Sequence, residues 1–213
     1  MHIPDGFLPA TVCAAGYIVA APVTWYSIRK INQKENPRAD IPKASLLTAA
    51  FFVVSWIHIP VPPTSVHLVL NGLLGAVLGY LAFPAILIGL FFQAVMFQHG
   101  GLTTLGVNAL IMGLPALLSY YIFRLRNIIG KRQRIMTGVF GFLAGFISVG
   151  VSVGMFAVIL LTSITAHLDI ATEQAAIYTL ALAHLPLMVI EGVFTALVTV
   201  FLWRVRPQLL DNT

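Results

Sequence analysis

Long apolar segments alternate with short polar ones along the chain, and the breaks between them carry proline, glycine or basic residues. An α-helix needs about 20 apolar residues to cross the hydrocarbon core of a bilayer, and several segments reach that length. The pattern predicts seven helices, which cover residues 7–29, 44–57, 64–79, 84–98, 104–123, 135–164 and 173–203. The third begins at Thr64 or Ser65, and it and the fourth are short enough to be tilted, re-entrant or buried among the others.

The composition supports an all-α polytopic membrane protein built as a bundle of seven transmembrane helices. Of the 213 residues, 59% are hydrophobic and 9% are charged, and the mean hydropathy is +0.93. A water-soluble domain could not cover its surface with so few charges. We therefore expect one integral membrane domain over residues 1–213, located in the inner or plasma membrane of the cell.

The basic residues define an orientation. All twelve Lys and Arg residues lie in the first loop, in the loop after the fifth helix or behind the last helix. With seven spans these places share one face, which the positive-inside rule makes cytoplasmic, so the N-terminus is predicted outside and the C-terminus inside. The net charge of +5 is thereby explained without nucleic acid, because the basic residues form no face with interleaved aromatics. Five of the six histidines then fall on or near the outer face: His2, His58, His67, His99 and His167.

The beginning of the chain is expected to be kept. The residues before the first apolar segment lack the basic start of a signal peptide, and Asp5 is expected to cap the first helix. The enzymes that remove an initiator methionine generally need a small second residue, so His2 predicts that Met1 is retained. Cys13 is the only cysteine, which excludes a disulfide framework and a thiolate metal site.

Met1 and His2 offer three nitrogen donors in succession: the α-amine, the backbone amide of His2 and the His2 imidazole. If the amide loses its proton, these donors close two fused chelate rings around one cation and leave one in-plane position for a nitrogen from a distant histidine. Four nitrogens in a square are diagnostic of Ni(II) or Cu(II), with Co(II) a close neighbour. The alternative interpretation is an ordinary solvated terminus.

Other polar side chains fall within the apolar segments or at their ends. His67 lies at the predicted start of the third helix, beside the hydroxyls of Thr64 and Ser65, which could support a metal ligand. Asn71 and Asn108 are either interhelical contacts or outer support for the same site.

Glu191 lies in the last predicted helix, where an ionisable residue is costly to place in a membrane. It is therefore either a functional residue or part of a structural hydrogen bond. For the remaining histidines of the outer face the simplest interpretation is a local hydrogen bond: His58, His99 and His167.

Three segments resemble the CbiM/NikM family, the substrate-capture components of energy-coupling factor transporters for cobalt and nickel. They are residues 1–8 (MHIPDGFL), 59–68 (IPVPPTSVHL) and 97–108 (FQHGGLTTLGVN). The resemblance covers essentially the whole chain. It implies seven transmembrane helices, an N-terminus that dips into the bundle, and a metal ion held by nitrogens of Met1, His2 and His67.

The resemblance also implies polar support near the metal, from Thr64, Ser65 and Asn108, and a set of partners. These partners are a transmembrane scaffold, a pair of ATP-binding cassette ATPases and a small accessory membrane subunit, which this chain does not carry fused. The chain contains no Walker sequence, so we expect no ATP hydrolysis by the chain itself. The capture role that the resemblance implies predicts no enzymatic activity and no catalytic cofactor. Ni(II) or Co(II) is the expected cargo, and the opening with Pro4 and Asp5 resembles the nickel members.

Two other classes of function remain open. An intramembrane metalloenzyme could use His67, His99 and Glu191, although the sequence has no His-Glu-x-x-His pair. A free-standing metal channel or secondary carrier would need a continuous polar path or inverted repeats, and the hydropathy pattern shows neither clearly. Metal-dependent hydrolysis by the purified chain would favour the first class, and uptake without an ATPase would favour the second.

Overall fold

The structure is a computed structural model that describes residues 2–61, 64–129, 133–163 and 170–211, and it describes the backbone alone for residues 58–61, 64–66, 129, 133, 170, 173 and 211. Helices dominate, in agreement with the predicted fold class. In chain order the elements are α1 (Ala10–Asn32), α2 (Ile41–Val54), β1 (His58–Val61), β2 (Thr64–His67), α3 (Asn71–Leu78), a 3-10 turn (Gly79–Leu81), α4 (Ala82–Phe97), α5 (Leu105–Arg124), α6 (Arg126–Ile129), α7 (Gln133–Ser163), α8 (Ile170–Ala183), α9 (Leu185–Val205) and α10 (Gln208–Asp211).

Five helical stretches of the described chain are long and apolar enough to cross a membrane: Ala10–Asn32, Asn71–Phe97, Leu105–Ile128, Arg134–Ser163 and Gln174–Val205. The apolar helix α2 is shorter. Large apolar side chains such as Ile18, Leu46 and Leu197 are exposed on the outside of the bundle. Such a surface suits lipid, because helices satisfy their own backbone groups and present only side chains to the hydrocarbon.

Helix α3 lies at the centre of the bundle, and all eight of its residues are buried. It runs parallel to α5, because Gly75 lies against Ala116 and Gly79, four residues further on, lies against Tyr120. Gly79 has a φ of +60° and ends the helix. A residue with a side chain rarely adopts that conformation, so glycine makes the reversal possible.

Helix α4 returns in the opposite direction. Phe83, four residues after the reversal, already packs against Gly113 of α5, and further along α4 Gly89 packs against Phe51 of α2. The stretch from Asn71 to Phe97 is therefore two antiparallel helices joined by a tight turn. This agrees with the expectation that the third and fourth helices are separate and short. Helix α3 is buried among its neighbours, one of the expected arrangements, whereas α4 exposes side chains such as Phe92 and Met96.

The predicted start of the third helix at Thr64 or Ser65 is wrong. Residues 64–67 form strand β2, which pairs antiparallel with β1 so that His58 faces His67. Prolines on the β1 side exclude a helix, and the β-branched residues of β2 favour a strand that satisfies its backbone groups by pairing. His67 therefore ends a strand, and helix α3 begins four residues later.

The single helix predicted over residues 173–203 is divided into α8 and α9 at His184. Pro186 lies in the first turn of α9, where its missing N–H costs nothing, but its ring prevents an unbroken hydrogen-bond ladder from α8. The two helices nevertheless remain part of one apolar stretch, which extends from Gln174 to Val205.

Basic residues gather at the end of the bundle where α1 finishes. Lys43 and Arg126 donate to the carbonyls of Leu209 and Leu210 in α10 at 3.2 and 2.8 Å. Lys34 and Lys43 also form ion pairs with Asp40, at 2.9 and 3.2 Å. Burial alone would raise the pKa of Asp40, but the two ammonium groups outweigh burial and lower that pKa below its usual value.

A glycine substitution can test the central position of α3. In Gly75→Ala the new Cβ would lie 1.9 Å from the carbonyl oxygen of Ala116. Because that atom belongs to a packed backbone, we expect the free energy of unfolding to fall by about 1–3 kcal/mol, the usual cost of overpacking. Thermal unfolding in detergent measures the change.

The matched control is Gly154→Ala in α7, where, apart from the adjoining backbone of α7 itself, no atom of the described residues lies within 4 Å of the position that the new methyl carbon would take. We expect this variant to unfold at the wild-type temperature or slightly above it, since alanine is the better helix former. Equal unfolding temperatures for the two variants would contradict the close approach of α3 and α5.

Candidate metal centre

The segment around Ile3 is inserted between the helices and held by α5. Ile3 is 1% exposed, and its backbone N–H donates to Oδ1 of Asn108 at 2.9 Å. The carbonyl of Ile3 accepts from Nδ2 of Asn108 at 3.0 Å and from the hydroxyl of Thr104 at 2.6 Å. Both backbone groups of Ile3 are thus satisfied inside the protein, which fixes the position of His2 next to it.

Asp5 holds the same segment to the loop before α5. The prediction that Asp5 caps α1 is wrong, because Pro9 occupies the N-cap position and no side chain of the described residues caps that helix. The Asp5 carboxylate accepts from the backbone N–H groups of Leu102 and Thr103 at 3.1 and 2.8 Å, and from the Thr103 hydroxyl. That hydroxyl is the largest cause of the lowered pKa of Asp5. At Gly101 a Cβ would lie 2.1 Å from Oδ1 of Asp5, so a glycine is needed there for the two segments to meet.

His67 presents a defined nitrogen to its surroundings. Nδ1 of this buried residue lies 3.0 Å from the carbonyl oxygen of Leu68. Since a carbonyl oxygen can only accept a hydrogen bond, Nδ1 carries the proton and Nε2 is the basic nitrogen. A hydrogen bond of this kind is the usual way in which a metal-binding histidine is oriented.

His99 reaches the same place from the end of α4. Gln98 ends that helix in the left-handed conformation with a φ of +53°, and the N–H of His99 donates to the carbonyl of Gln93 at 3.1 Å. This arrangement is a Schellman cap, which turns the chain sharply away from the helix axis. The histidine directly after the helix end is thereby directed at the docked N-terminal segment.

The imidazoles of His2, His67 and His99 converge, and one ring nitrogen from each lies within 4.8 Å of the others. The ring centroid of His2 is 5.2 Å from that of His67 and 4.2 Å from that of His99, and the last two are 5.6 Å apart. Three nitrogens that bind one transition-metal ion at about 2 Å lie about 2.8–3.5 Å apart as neighbours around it, so the rings need to approach by up to about 2 Å, which side-chain rotation can supply. The cluster can therefore bind a single ion.

The surroundings of His2 suit a metal ligand. Both of its ring nitrogens are shielded from solvent and have no hydrogen-bond partner within the described residues. Burial, which is the largest cause, lowers the pKa of His2 well below its usual value, and the imidazoles of His67 and His99 lower it further. The ring is therefore neutral and has a lone pair available for a cation, which would compensate the buried polar atoms.

The remaining predicted site residues have different surroundings. Asn71 donates to the Ser152 hydroxyl of α7 at 2.7 Å and to the Met112 carbonyl of α5 at 3.4 Å, and both are interhelical contacts. Thr64 and Ser65 lie in β2, next to His67 in sequence, where the structure describes only the backbone. Met1 lies outside the described residues, as does His167.

The polar residues of the last helices are not part of the imidazole cluster. Nδ1 of His184 bonds the carbonyl of Leu180 at 2.7 Å. The carboxyl group of Glu191 accepts from the backbone N–H groups of Val69 and Leu70.

His99 is the member of the cluster that was not among the predicted ligands of the captured metal, because a single histidine near a helix end is usually only hydrogen-bonded. The signal that could have found it is its place between a helix end and the Gly100-Gly101 pair. That pattern indicates a sharp turn which brings the side chain back over the bundle.

Comparison with known proteins agrees with this architecture. The family model for the cobalt uptake substrate-specific transmembrane region, CbiM, matches residues 2–209. The cobalt transport protein CbiM of Sorangium cellulosum is 31% identical over 100% of this chain and 95% of its own length. The fused nickel transport protein NikMN of Rhodobacter capsulatus is 31% identical over 99% of this chain and 64% of its own length.

A crystal structure of a truncated transition metal transporter superposes with a TM-score of 0.80 at 26% identity, covering 96% of this chain and 99% of that one. The chain therefore belongs to the CbiM family of metal-uptake transmembrane proteins and is a multi-pass membrane protein.

Proposed function

We propose that this chain captures Ni(II) or Co(II), with a preference for nickel, as the substrate-specific membrane component of an energy-coupling factor importer. The observation that carries the proposal is the convergence of three imidazoles on the point where the start of the chain is inserted into the bundle. An intramembrane site built from nitrogen donors, without thiolates or a carboxylate cluster, suits late first-row divalent ions and not hard cations.

In the proposed complex the α-amine of Met1, the deprotonated amide of His2 and the His2 imidazole occupy three corners of a square, and Nε2 of His67 occupies the fourth. The hydrogen bond from Nδ1 of His67 to the Leu68 carbonyl supports this role of Nε2. A square of four nitrogens stabilises a d8 ion and disfavours Zn(II), which prefers a tetrahedron. Because the amine and the amide must lose protons, binding should strengthen as the pH rises.

We further propose that residues 1–213 form one domain that crosses the membrane seven times, with the N-terminus outside and the C-terminus in the cytoplasm. Helices α1, α2, α3, α4, α5 and α7 and the pair α8–α9 supply the crossings. The third crossing is the shortest, because the proposed metal site lies before the N-terminal, outer end of α3, within the bundle. Energy comes from separate ATPases acting through a transmembrane scaffold, with a small accessory membrane subunit as a further partner.

The alternative functions have less support. For an intramembrane metalloenzyme, Glu191 would have to reach the metal together with His67 and His99, but its carboxyl group bonds the backbone of residues 69 and 70. A free-standing channel or carrier would need its own driving force. Membership of a family of metal-uptake components, including one relative named as a fused nickel transport protein, favours capture for a larger transporter.

Extension of the N-terminus tests the proposed ligand set. Two residues, Gly-Ser, are placed before Met1, because a single residue would make His2 the third residue and create a different square-planar chelate. We expect nickel affinity, measured by competition with a chelator, to fall by more than the roughly 10- to 100-fold that the loss of outer support costs. The extension removes the free amine from its five-membered chelate ring.

The control carries the same two residues after Thr213, and intact mass spectrometry verifies both termini and the retention of Met1. We expect the control to bind nickel as the unmodified chain does. Undiminished binding by the N-terminally extended chain would refute the proposed role of the terminus.

Replacement of His99 distinguishes its role from those of the planar ligands. If the N-terminal donors and His67 fill the square, His99 can bind only from above or below it. Square-planar Ni(II) needs no such donor, whereas Co(II) favours five or six ligands. We therefore expect His99→Gln to weaken cobalt binding by about tenfold and to change nickel binding less. That factor is the lower end of the loss in affinity seen when residues around a bound metal are mutated.

Calorimetry with each metal measures the difference, and His184→Gln, which lies in the last helices away from the cluster, is the matched control. A loss of nickel affinity as large as that of cobalt would show that His99 belongs to the primary ligand set.

Removal of the Asn108 carboxamide tests the docking of the N-terminal segment. Asn108→Leu keeps the size of the side chain but loses both bonds to the backbone of Ile3. We expect nickel affinity to fall by about 10- to 100-fold, as for other residues that orient metal ligands. Asn127→Leu, at an exposed position at the basic end, is the control and should bind normally; equal affinities for the two variants would contradict the docking role.

A further inference from the structure

Glu191 is a buried carboxyl group with an unusual target. It lies in the middle of α9, is 0% exposed, and its Oε1 accepts from the backbone N–H groups of Val69 and Leu70, the latter at 3.0 Å. These amides lie between strand β2 and helix α3, 121 or more residues away in sequence. An ionisable residue inside a membrane is retained at a cost, so this contact calls for a functional explanation.

The Val69 amide connects Glu191 to His67. The N–H of Val69 and the carbonyl of Leu68 belong to the same planar peptide group. Glu191 accepts from the N–H side of that group, while Nδ1 of His67 donates to its carbonyl side at 3.0 Å. A carboxyl group, a peptide group and an imidazole are thus linked in series, with Nε2 of His67 at the end. In many metalloproteins a carboxylate orients a ligating histidine directly, and here a peptide group lies between the two.

The turn that contains this peptide group requires external support. Leu70 has a φ of +55°, a left-handed conformation that leucine rarely adopts. Such a conformation persists only where the surrounding structure determines it. Both N–H groups bonded by Glu191 belong to this turn, so the carboxyl group stabilises a backbone arrangement that the local sequence does not favour.

Helix α9 is itself held against α7, so that the position of Glu191 is well defined. At Gly145 of α7 a Cβ would lie 2.5 Å from the carbonyl oxygen of Glu191, and at Gly192 a Cβ would lie 2.8 Å from the ring of Phe142. At Gly145 the backbones of the two helices therefore approach closely, and at Gly192 the Phe142 ring packs directly on the backbone of α9, so Glu191 projects from a rigid base.

We propose that Glu191 is a positioning residue for metal capture: through the peptide group between Leu68 and Val69 it orients the His67 imidazole, and it thereby makes metal affinity depend on the position of α9. Glu191 does not bind the ion. The inference rests on the proposed role of His67 as a ligand. It follows that a displacement of α9 relative to the β2–α3 turn lowers the affinity without contact between α9 and the metal.

A double-mutant cycle tests the proposal. Nickel affinity is measured by chelator competition on the purified full chain for the wild type, His67→Ala, Glu191→Leu and the double variant. We expect Glu191→Leu to weaken binding by at least about tenfold, and to add less than about twofold in the His67→Ala background, because both changes remove the same ligand. The absorption band of the residual nickel complex of Glu191→Leu should match that of His67→Ala.

Two further variants separate orientation from general damage. Glu191→Gln keeps an oxygen that can accept both N–H groups, and we expect its affinity to stay within about threefold of the wild type. Thr195→Val changes an equally buried position one turn further along α9 and should leave both affinity and absorption band unchanged. If Glu191→Leu does not fold, Glu191→Asp replaces it, since the shorter side chain keeps the carboxyl group but cannot reach both amides.

The proposal is overturned if Glu191→Leu binds nickel like the wild type, if it loses the same factor in the His67→Ala background, or if Glu191→Gln is impaired as strongly as Glu191→Leu. Failure of the proposed function has a different signature. In that case His67→Ala itself binds nickel with wild-type affinity and an unchanged band, whatever the Glu191 variants do.

Discussion

The backbone of an extended segment inside an apolar bundle must find hydrogen-bond partners, and the chain start meets this constraint through α5 and the loop before it. The carboxamide of Asn108 bonds both backbone groups of Ile3, and Asp5 bonds the loop at Leu102 and Thr103. Without these bonds, water would be the better environment for the segment. The position of His2, and with it the geometry of the candidate site, depends on this docking.

The three imidazoles share one feature, which is that each lies outside the helices. His2 belongs to the docked segment, His67 ends a strand, and His99 follows a Schellman cap. The helices are packed closely through glycine contacts. The imidazoles of the candidate site are therefore carried by segments outside the helices, while the helices supply a rigid frame.

The sequence was informative wherever one segment by itself determined the local structure. Apolar length and proline positions predicted α1, α2, α4, α5 and α7, and His2 and His67, which the sequence singled out, lie together in the structure. Predictions from the sequence were wrong or missing where contacts with distant residues determine the local structure. Thr64 and Ser65 resemble a helix cap, yet pairing with β1 makes their segment a strand. Nothing local indicates that Leu70 adopts a positive φ, because its support comes from Glu191 on another helix. His99 was missed for the same reason, since its role depends on two neighbours from other parts of the chain.

The contact of α3 with the surrounding helices limits how a protein of this shape can diverge. Gly75 meets the carbonyl of Ala116, and Gly72 meets the backbone of Gly145. Larger residues at these two positions of α3 would therefore collide with the backbones of α5 and α7. The connecting segments that carry the three imidazoles rest on helices whose spacing is fixed by these glycine contacts.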